Sequence, residues 1–264
     1  MAESALTNCR LCRREEPLVR SHILPEFLHR KLELYGKEYA RKKKGVKKRE
    51  LWQFGTNPTT AGPRRYQIGI RERLLCAVCD NWLGKFEDYA NKIIFDPKAE
   101  DSCQAIPFGK KQSLQVDYCR FKLFQISLIW RMGISSNKAF HAIQLGSHEE
   151  ILRNMLNFSN AGRSADYGCV ILRNPLGTNV TNQVICPIGT KIVDGIPVVT
   201  LMLGNSLWVY ALAGSEDSPF EAKMHLSDCG QLRIFEPASL HLNYLSWILQ
   251  FADAQFQRSL RQGT

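Results

Sequence analysis

Two short cysteine pairs constrain this chain more than any other feature. Cys9-Arg-Leu-Cys12 opens it, and Cys76-Ala-Val-Cys79 follows more than sixty residues later. A thiolate pair two residues apart turns both sulfurs toward one ion. Two such pairs supply the tetrahedral shell that zinc prefers. The spacing therefore predicts one structural Zn2+ held by Cys9, Cys12, Cys76 and Cys79. In a polar unit of roughly 90 residues such a staple contributes folding energy directly.

The flanks of the knuckles carry the polar residues that bear on function. Arg20-Ser21-His22-Ile23-Leu24-Pro25 follows the first pair; Asp80-Asn81 and then Glu87-Asp88 follow the second. If the knuckles dock, these flanks meet. A histidine there can take a proton from water, while Asp80 and Glu87 hold a catalytic Mg2+ or Mn2+. Those are the minimal parts for metal-assisted phosphodiester cleavage. Blander roles stay open: His22 as a packing residue, Glu87 and Asp88 on a solvated helix face, Asp80 and Asn81 as helix caps.

Charge points to the partner. The formal net charge is +10 over 264 residues. Much of it sits in Arg41, Lys42, Lys43, Lys44, Lys47, Lys48 and Arg49. No packed core absorbs such a run. It suits a phosphate backbone, with Arg64 and Arg65 as further nucleic-acid contacts. Nine cysteines, an odd number, fit a reducing compartment better than a disulfide framework. The chain lacks a basic start followed by an apolar run, and it lacks the roughly 18 consecutive apolar residues of a membrane span. We expect a cytoplasmic protein without membrane contact.

Periodicity divides the chain into three parts: 1–96 as a knuckle module with a basic insertion, 97–117 as a linker, and 118–264 as an α+β domain. Leu18–Ile23 and Tyr66–Ile70 read as strands. A short helix begins near Glu26 and runs to Leu34, and Trp82–Phe95 reads as a longer one. Phe121–Met132 is apolar on nearly every side and predicts a buried helix. Lys138–Leu145 reads as a short helix. Ser147 and Glu150 have the capping-box spacing ahead of another. Strands are expected at 167–172, 183–185, 198–203, 206–212, 221–226 and 231–235, with a closing helix over 240–256. The second part shows no nucleotide fingerprint. It suits self-association or binding of a partner protein.

Taken together, Cys9-x2-Cys12, Ser21-His22-Ile23-Leu24-Pro25 and Leu74-Leu75-Cys76-Ala77-Val78-Cys79-Asp80 resemble the HNH endonuclease family in its zinc-stapled form. The resemblance covers about residues 9–90. It implies a ββα-metal fold, cleavage of DNA more than RNA, and His22 as the general base. Asp80 stands where the family carries a metal-binding histidine, and Ser21 where it carries a metal-binding Asp or His. A zinc-stabilised nucleic-acid-binding module without catalysis, or a protein-interaction scaffold, are the alternatives.

Overall fold

The computed structural model describes residues 7–28, 51–53, 64–66, 70–95, 112–173, 185–214 and 216–236. The first knuckle is framed by two-residue strands, β1 (Thr7–Asn8) and β2 (Glu15–Glu16), paired antiparallel. β3 (Leu18–His22) follows as expected. Residues 26–28 begin a helix, and the rest of the expected helix to Leu34 lies outside the described residues, as does the whole basic run 41–49. β4 (Leu51–Gln53) and β5 (Arg64–Tyr66) come next, the latter ahead of the expected Tyr66–Ile70 strand, of which 67–69 are not described.

β6 (Arg71–Cys76) pairs antiparallel with β3 and runs directly into α1 (Ala77–Ile94). β3, β6 and α1 together make a ββα unit. Helix α1 buries Cys79, Leu83, Phe86, Ala90 and Ile94, a stripe at helical spacing. It starts earlier than Trp82, so Asp80 lies inside the first turn and does not cap it. Cys76 takes the N-cap position instead, without a side-chain hydrogen bond.

The second half begins with β7 (Ser113–Gln115), a strand inside the expected linker. α2 (Tyr118–Ile134) is capped by Asp117, whose carboxylate accepts from the Arg120 backbone N–H at 3.0 Å. As its composition predicts, it is buried on all sides from Phe121 to Met132. Of the expected 138–145 helix only a 3-10 turn, Lys138–Phe140, forms. α3 (His148–Asn157) starts where the capping-box pattern placed it, but Ser147 is helical and makes no side-chain cap. Glu150 instead accepts from Arg153 and from Arg13 of the first knuckle. A charged partner outcompetes the backbone N–H there.

The remaining strands are β8 (Cys169–Arg173), β9 (Ile185–Val193), β10 (Ile196–Leu203), β11 (Ser206–Ala211) and β12 (Gln231–Phe235). Residues 221–226, expected as a strand, hold a 3-10 turn at Ala222–Met224 instead. One eight-stranded sheet has the order β5-β4-β9-β10-β11-β8-β12-β7. It is antiparallel except at β4–β9 and β12–β8. The fold is α+β. The closing helix expected over 240–256 lies outside the described residues, and among those described no C-terminal helix closes the sheet.

Side chains alternate across the central strands. Ile171, Val199, Leu201, Trp208 and Tyr210 face α2, while Val170, Leu172, Val198, Met202 and Val209 join Phe220 and Met224 on the other face. Trp208 packs on Phe121 and Phe124, with ring centroids 6.1 and 6.2 Å apart. Phe124 also meets Phe27, at 6.0 Å. Helix α2 thus has the sheet on one side and the ββα unit on the other. A single hydrophobic cluster runs from Cys9 and Leu11 through both helices to Trp208.

Close packing at one glycine gives a direct test of this core. A Cβ on Gly168 would lie 2.3 Å from His225 Nδ1, and His225 is 1% exposed. Gly168→Ala is expected to cost about 1–3 kcal/mol through forced repacking. Chemical denaturation would read the loss, and an unchanged midpoint would show that the 225 segment is free to shift.

Candidate metal centre and adjoining cleft

The four knuckle sulfurs come together. Their Sγ atoms all lie within 4.8 Å of one another, with Cys12 and Cys76 4.0 Å apart. Tetrahedral zinc with Zn–S bonds of about 2.3 Å places its sulfurs about 3.8 Å apart. The cluster therefore accepts a metal ion with only slight contraction, and an all-thiolate donor set fits zinc. Cys9, Cys76 and Cys79 are buried.

Backbone geometry explains the convergence. The Cys9 carbonyl accepts from Arg13 N–H, and Cys9 N–H donates to the Arg14 carbonyl, both at 2.9 Å. These bonds curl the first loop over Cys12. Arg10 N–H donates to the Leu74 carbonyl at 2.9 Å, and Cys76 N–H donates to Cys9 Sγ at 3.4 Å, fastening loop to hairpin. Arg13 has φ 64, a left-handed conformation that usually selects glycine. Its guanidinium donates to Glu150 Oε2 at 2.9 Å, and Arg10 donates to Glu149 Oε1 at 2.8 Å. Arg153 reaches back to the Leu11 carbonyl. Helix α3 thereby grips the first knuckle.

Burial pushes the Cys76 and Cys79 thiols up from their ordinary values. At Cys12 burial also acts upward, but hydrogen bonds from the Arg14 side chain and backbone outweigh it and bring the thiol down to about 6. A bound cation favours the thiolate at all four.

Beside the cluster lies a cleft of about 250 Å3 lined by His22, Asp80, Asn81, Gly84, Lys85, Glu87, Asp88 and Arg131. The ββα unit builds it: His22 ends β3, and the others except Arg131 follow the second knuckle along α1. Three residues singled out from sequence, His22, Asp80 and Glu87, do meet here. Ser21 does not. Strand alternation turns it inward, 2% exposed, across from Glu72, which accepts from Ser135 and Ser136.

Two guanidinium groups wire the cleft. Arg71 is the cross-strand partner of His22, and its Nε donates to His22 Nε2 at 2.8 Å. That nitrogen is the acceptor, so the ring proton sits on Nδ1. Arg131, on α2 and 2% exposed, donates to the His22 carbonyl at 2.9 Å and pairs with Glu87. Its Nε also donates to the Ser127 carbonyl at 3.4 Å. Burial pushes the Glu87 carboxyl above its ordinary value; Arg131 opposes the rise, and Asp80 and Asp88 add to it.

Arg131 was the residue that sequence reasoning missed. A charge inside a helix buried on all sides requires a partner, and that alone marks it for attention. Arg64 and Arg65 lie in β5 at the edge of the sheet. Arg73 donates to the Leu18 carbonyl at 2.7 Å. No helix among the described residues is long and apolar enough to cross a membrane.

No protein-family model, no curated protein and no solved structure matches this chain.

Proposed function

We propose that residues 7–95 form a zinc-stapled module that binds nucleic acid without cleaving it. The observation that carries this reading is the pairing of two of the three would-be catalytic groups, His22 and Glu87, with arginines. His22 Nε2 accepts from Arg71, and Glu87 is held by Arg131. A base whose lone pair receives a guanidinium N–H is poorly placed to take a proton, and a carboxylate neutralised by arginine is a weak magnesium ligand. Nucleic acid as the partner is supported by the net charge of +10 and by the basic run Arg41–Arg49 in the connection between β3 and β6. Arg20 is exposed on the same hairpin. Residues 118–264 supply an attachment surface for a second copy or a partner protein, in a cytoplasmic setting.

A metal-dependent HNH endonuclease is the second reading. The gathering of His22, Asp80 and Glu87 in one cleft beside the cysteine cluster favours it. There His22 would act as base, with Asp80 and Glu87 on Mg2+ or Mn2+.

One experiment separates the two. Fluorescence anisotropy with labelled DNA and RNA, from about 50 to 200 mM salt, should show affinity falling steeply with salt. With Mg2+ or Mn2+ added, neither the wild type nor His22→Ala should cleave. Cleavage by the wild type that disappears in His22→Ala, with metal content and binding intact, would replace the first reading by the second.

A further inference from the structure

The four sulfurs of the metal centre are not equally sheltered. Cys9, Cys76 and Cys79 are 0%, 2% and 6% exposed. Cys12 alone among them is half-buried, in a turn outside any strand or helix. A buried structural thiolate is inert to an oxidant in solution, whereas an accessible one next to a cation is reactive. Three arginines surround the turn. Arg10 and Arg13 are held by Glu149 and Glu150. The exposed Arg14 directs a hydrogen bond at the Cys12 sulfur instead. Cys76, on the other knuckle, has its Sγ 4.0 Å from that of Cys12. Closing that gap to the ~2.05 Å of a disulfide falls to the turn, since Cys76 is fixed between β6 and α1.

We propose that Cys12 is a site of oxidation by hydrogen peroxide, and that Cys76 resolves the product into a Cys12–Cys76 disulfide that takes the place of the ion. This rests on the metal centre above and is independent of the nucleic-acid reading. The Cys12 thiolate attacks one peroxide oxygen; the O–O bond breaks, hydroxide leaves and Cys12 becomes a sulfenic acid. The Arg14 guanidinium, already on the sulfur, stabilises the departing charge. The Cys76 thiolate then attacks the Cys12 sulfur; the S–O bond breaks, a second hydroxide leaves and the S–S bond forms. Two thiolates lose two electrons, the peroxide gains two, and two solvent protons turn the hydroxides into water. Cys9 and Cys79 remain, half of a tetrahedral zinc shell, and the ion is released. The new bond joins the same two segments that the ion joined, so the first knuckle stays on the hairpin.

The test uses the full chain, loaded with zinc, as wild type, Arg14→Gln, and the double variant Cys119→Ser with Cys229→Ser. The double variant removes the two exposed thiols among the described cysteines. Hydrogen peroxide is added in the presence of a zinc-sensitive dye, and the products are digested and mapped by mass spectrometry without reduction. The wild type should release its zinc and yield peptides cross-linked through Cys12 and Cys76. Dithiothreitol with added zinc should reverse both changes. Arg14→Gln should hold its zinc but release it several-fold more slowly under peroxide. The double variant should release it at the wild-type rate. The oxidised protein should melt above the chelator-treated protein, because only the oxidised one keeps a link between the knuckles. Zinc retained under peroxide, a disulfide confined to one knuckle, or release that depends on Cys119 or Cys229 would overturn the proposal. A wild type that binds no zinc under reducing conditions would overturn the metal centre, and the proposal with it.

Discussion

Cys9→Ser is expected to release the bound metal and to abolish cooperative unfolding of the ββα unit. The effect should be the largest of any single substitution in the chain. Structural zinc in comparable thiolate sites carries an apparent binding free energy of about 10–16 kcal/mol, which is folding free energy where no site is preformed. Here the ligands also belong to the packing. Cys9 is fully buried, accepts from Cys76 N–H and shares the cluster that continues into α1 and α2. Losing the ion would loosen the first knuckle from the hairpin, where the Arg10 N–H bond to the Leu74 carbonyl stays, and leave the Arg10, Arg13 and Arg153 side chains to hold it against α3. The ion pairs among these are largely exposed and worth little each. A chelator with high zinc affinity should reproduce the loss in the wild type. Metal stoichiometry and circular-dichroism melts report both. A Cys9→Ser protein that purifies with one zinc per chain, or melts as the wild type does, would show that the cluster is not a structural centre.

Where one local rule dominates, the sequence was a good guide. Spacing alone brought Cys9, Cys12, Cys76 and Cys79 together, because two close thiolates have few ways to face one ion. The apolar stretch 121–132 is a buried helix because no polar face was available to expose. Gly204-Asn205 between two apolar runs is a tight turn between β10 and β11. Residues that answer to distant partners were harder to read. Leu51–Gln53 and Arg64–Tyr66 add to a sheet built mostly from residues after 113, through a parallel contact of Gln53 with Ile185 that no local pattern announces. Ser147 and Glu150 have the right spacing for a capping box, yet Glu150 pairs with Arg13, 137 residues away. The cleft has the same character. His22 and Glu87 were visible as residue types, while their partners Arg71 and Arg131 are set by strand register and helix packing.

Arg131→Met is expected to destabilise the protein by about 3–5 kcal/mol, the usual cost of removing one partner from a buried charge pair. The guanidinium is 2% exposed and bridges three elements: the His22 carbonyl at the end of β3, Glu87 on α1, and Ser127 on its own helix. Methionine fills much of the volume and satisfies neither the His22 carbonyl nor Glu87, so Glu87 remains half-buried without its counter-charge. The penalty should depend on pH, and its sign follows from the carboxyl. Burial already raises Glu87 above its ordinary value, and Arg131 is the influence that lowers it. Without Arg131 the carboxyl rises further. A folded-state value above the unfolded one means that the folded protein binds the extra proton. Stability is then retained in acid and lost as pH rises through the folded value. The deficit of Arg131→Met should therefore shrink toward acidic pH and grow as pH rises through the raised Glu87 value of the variant. Arg131→Met with Glu87→Leu should recover most of the loss at neutral pH and remove its pH dependence, because an apolar pair carries no unpaired charge. Urea unfolding of the zinc-loaded proteins across that pH range measures all three. A deficit that does not change with pH would mean that the cost comes from the abandoned His22 carbonyl and not from Glu87. The cleft would then be held by backbone hydrogen bonds, with the ion pair contributing little.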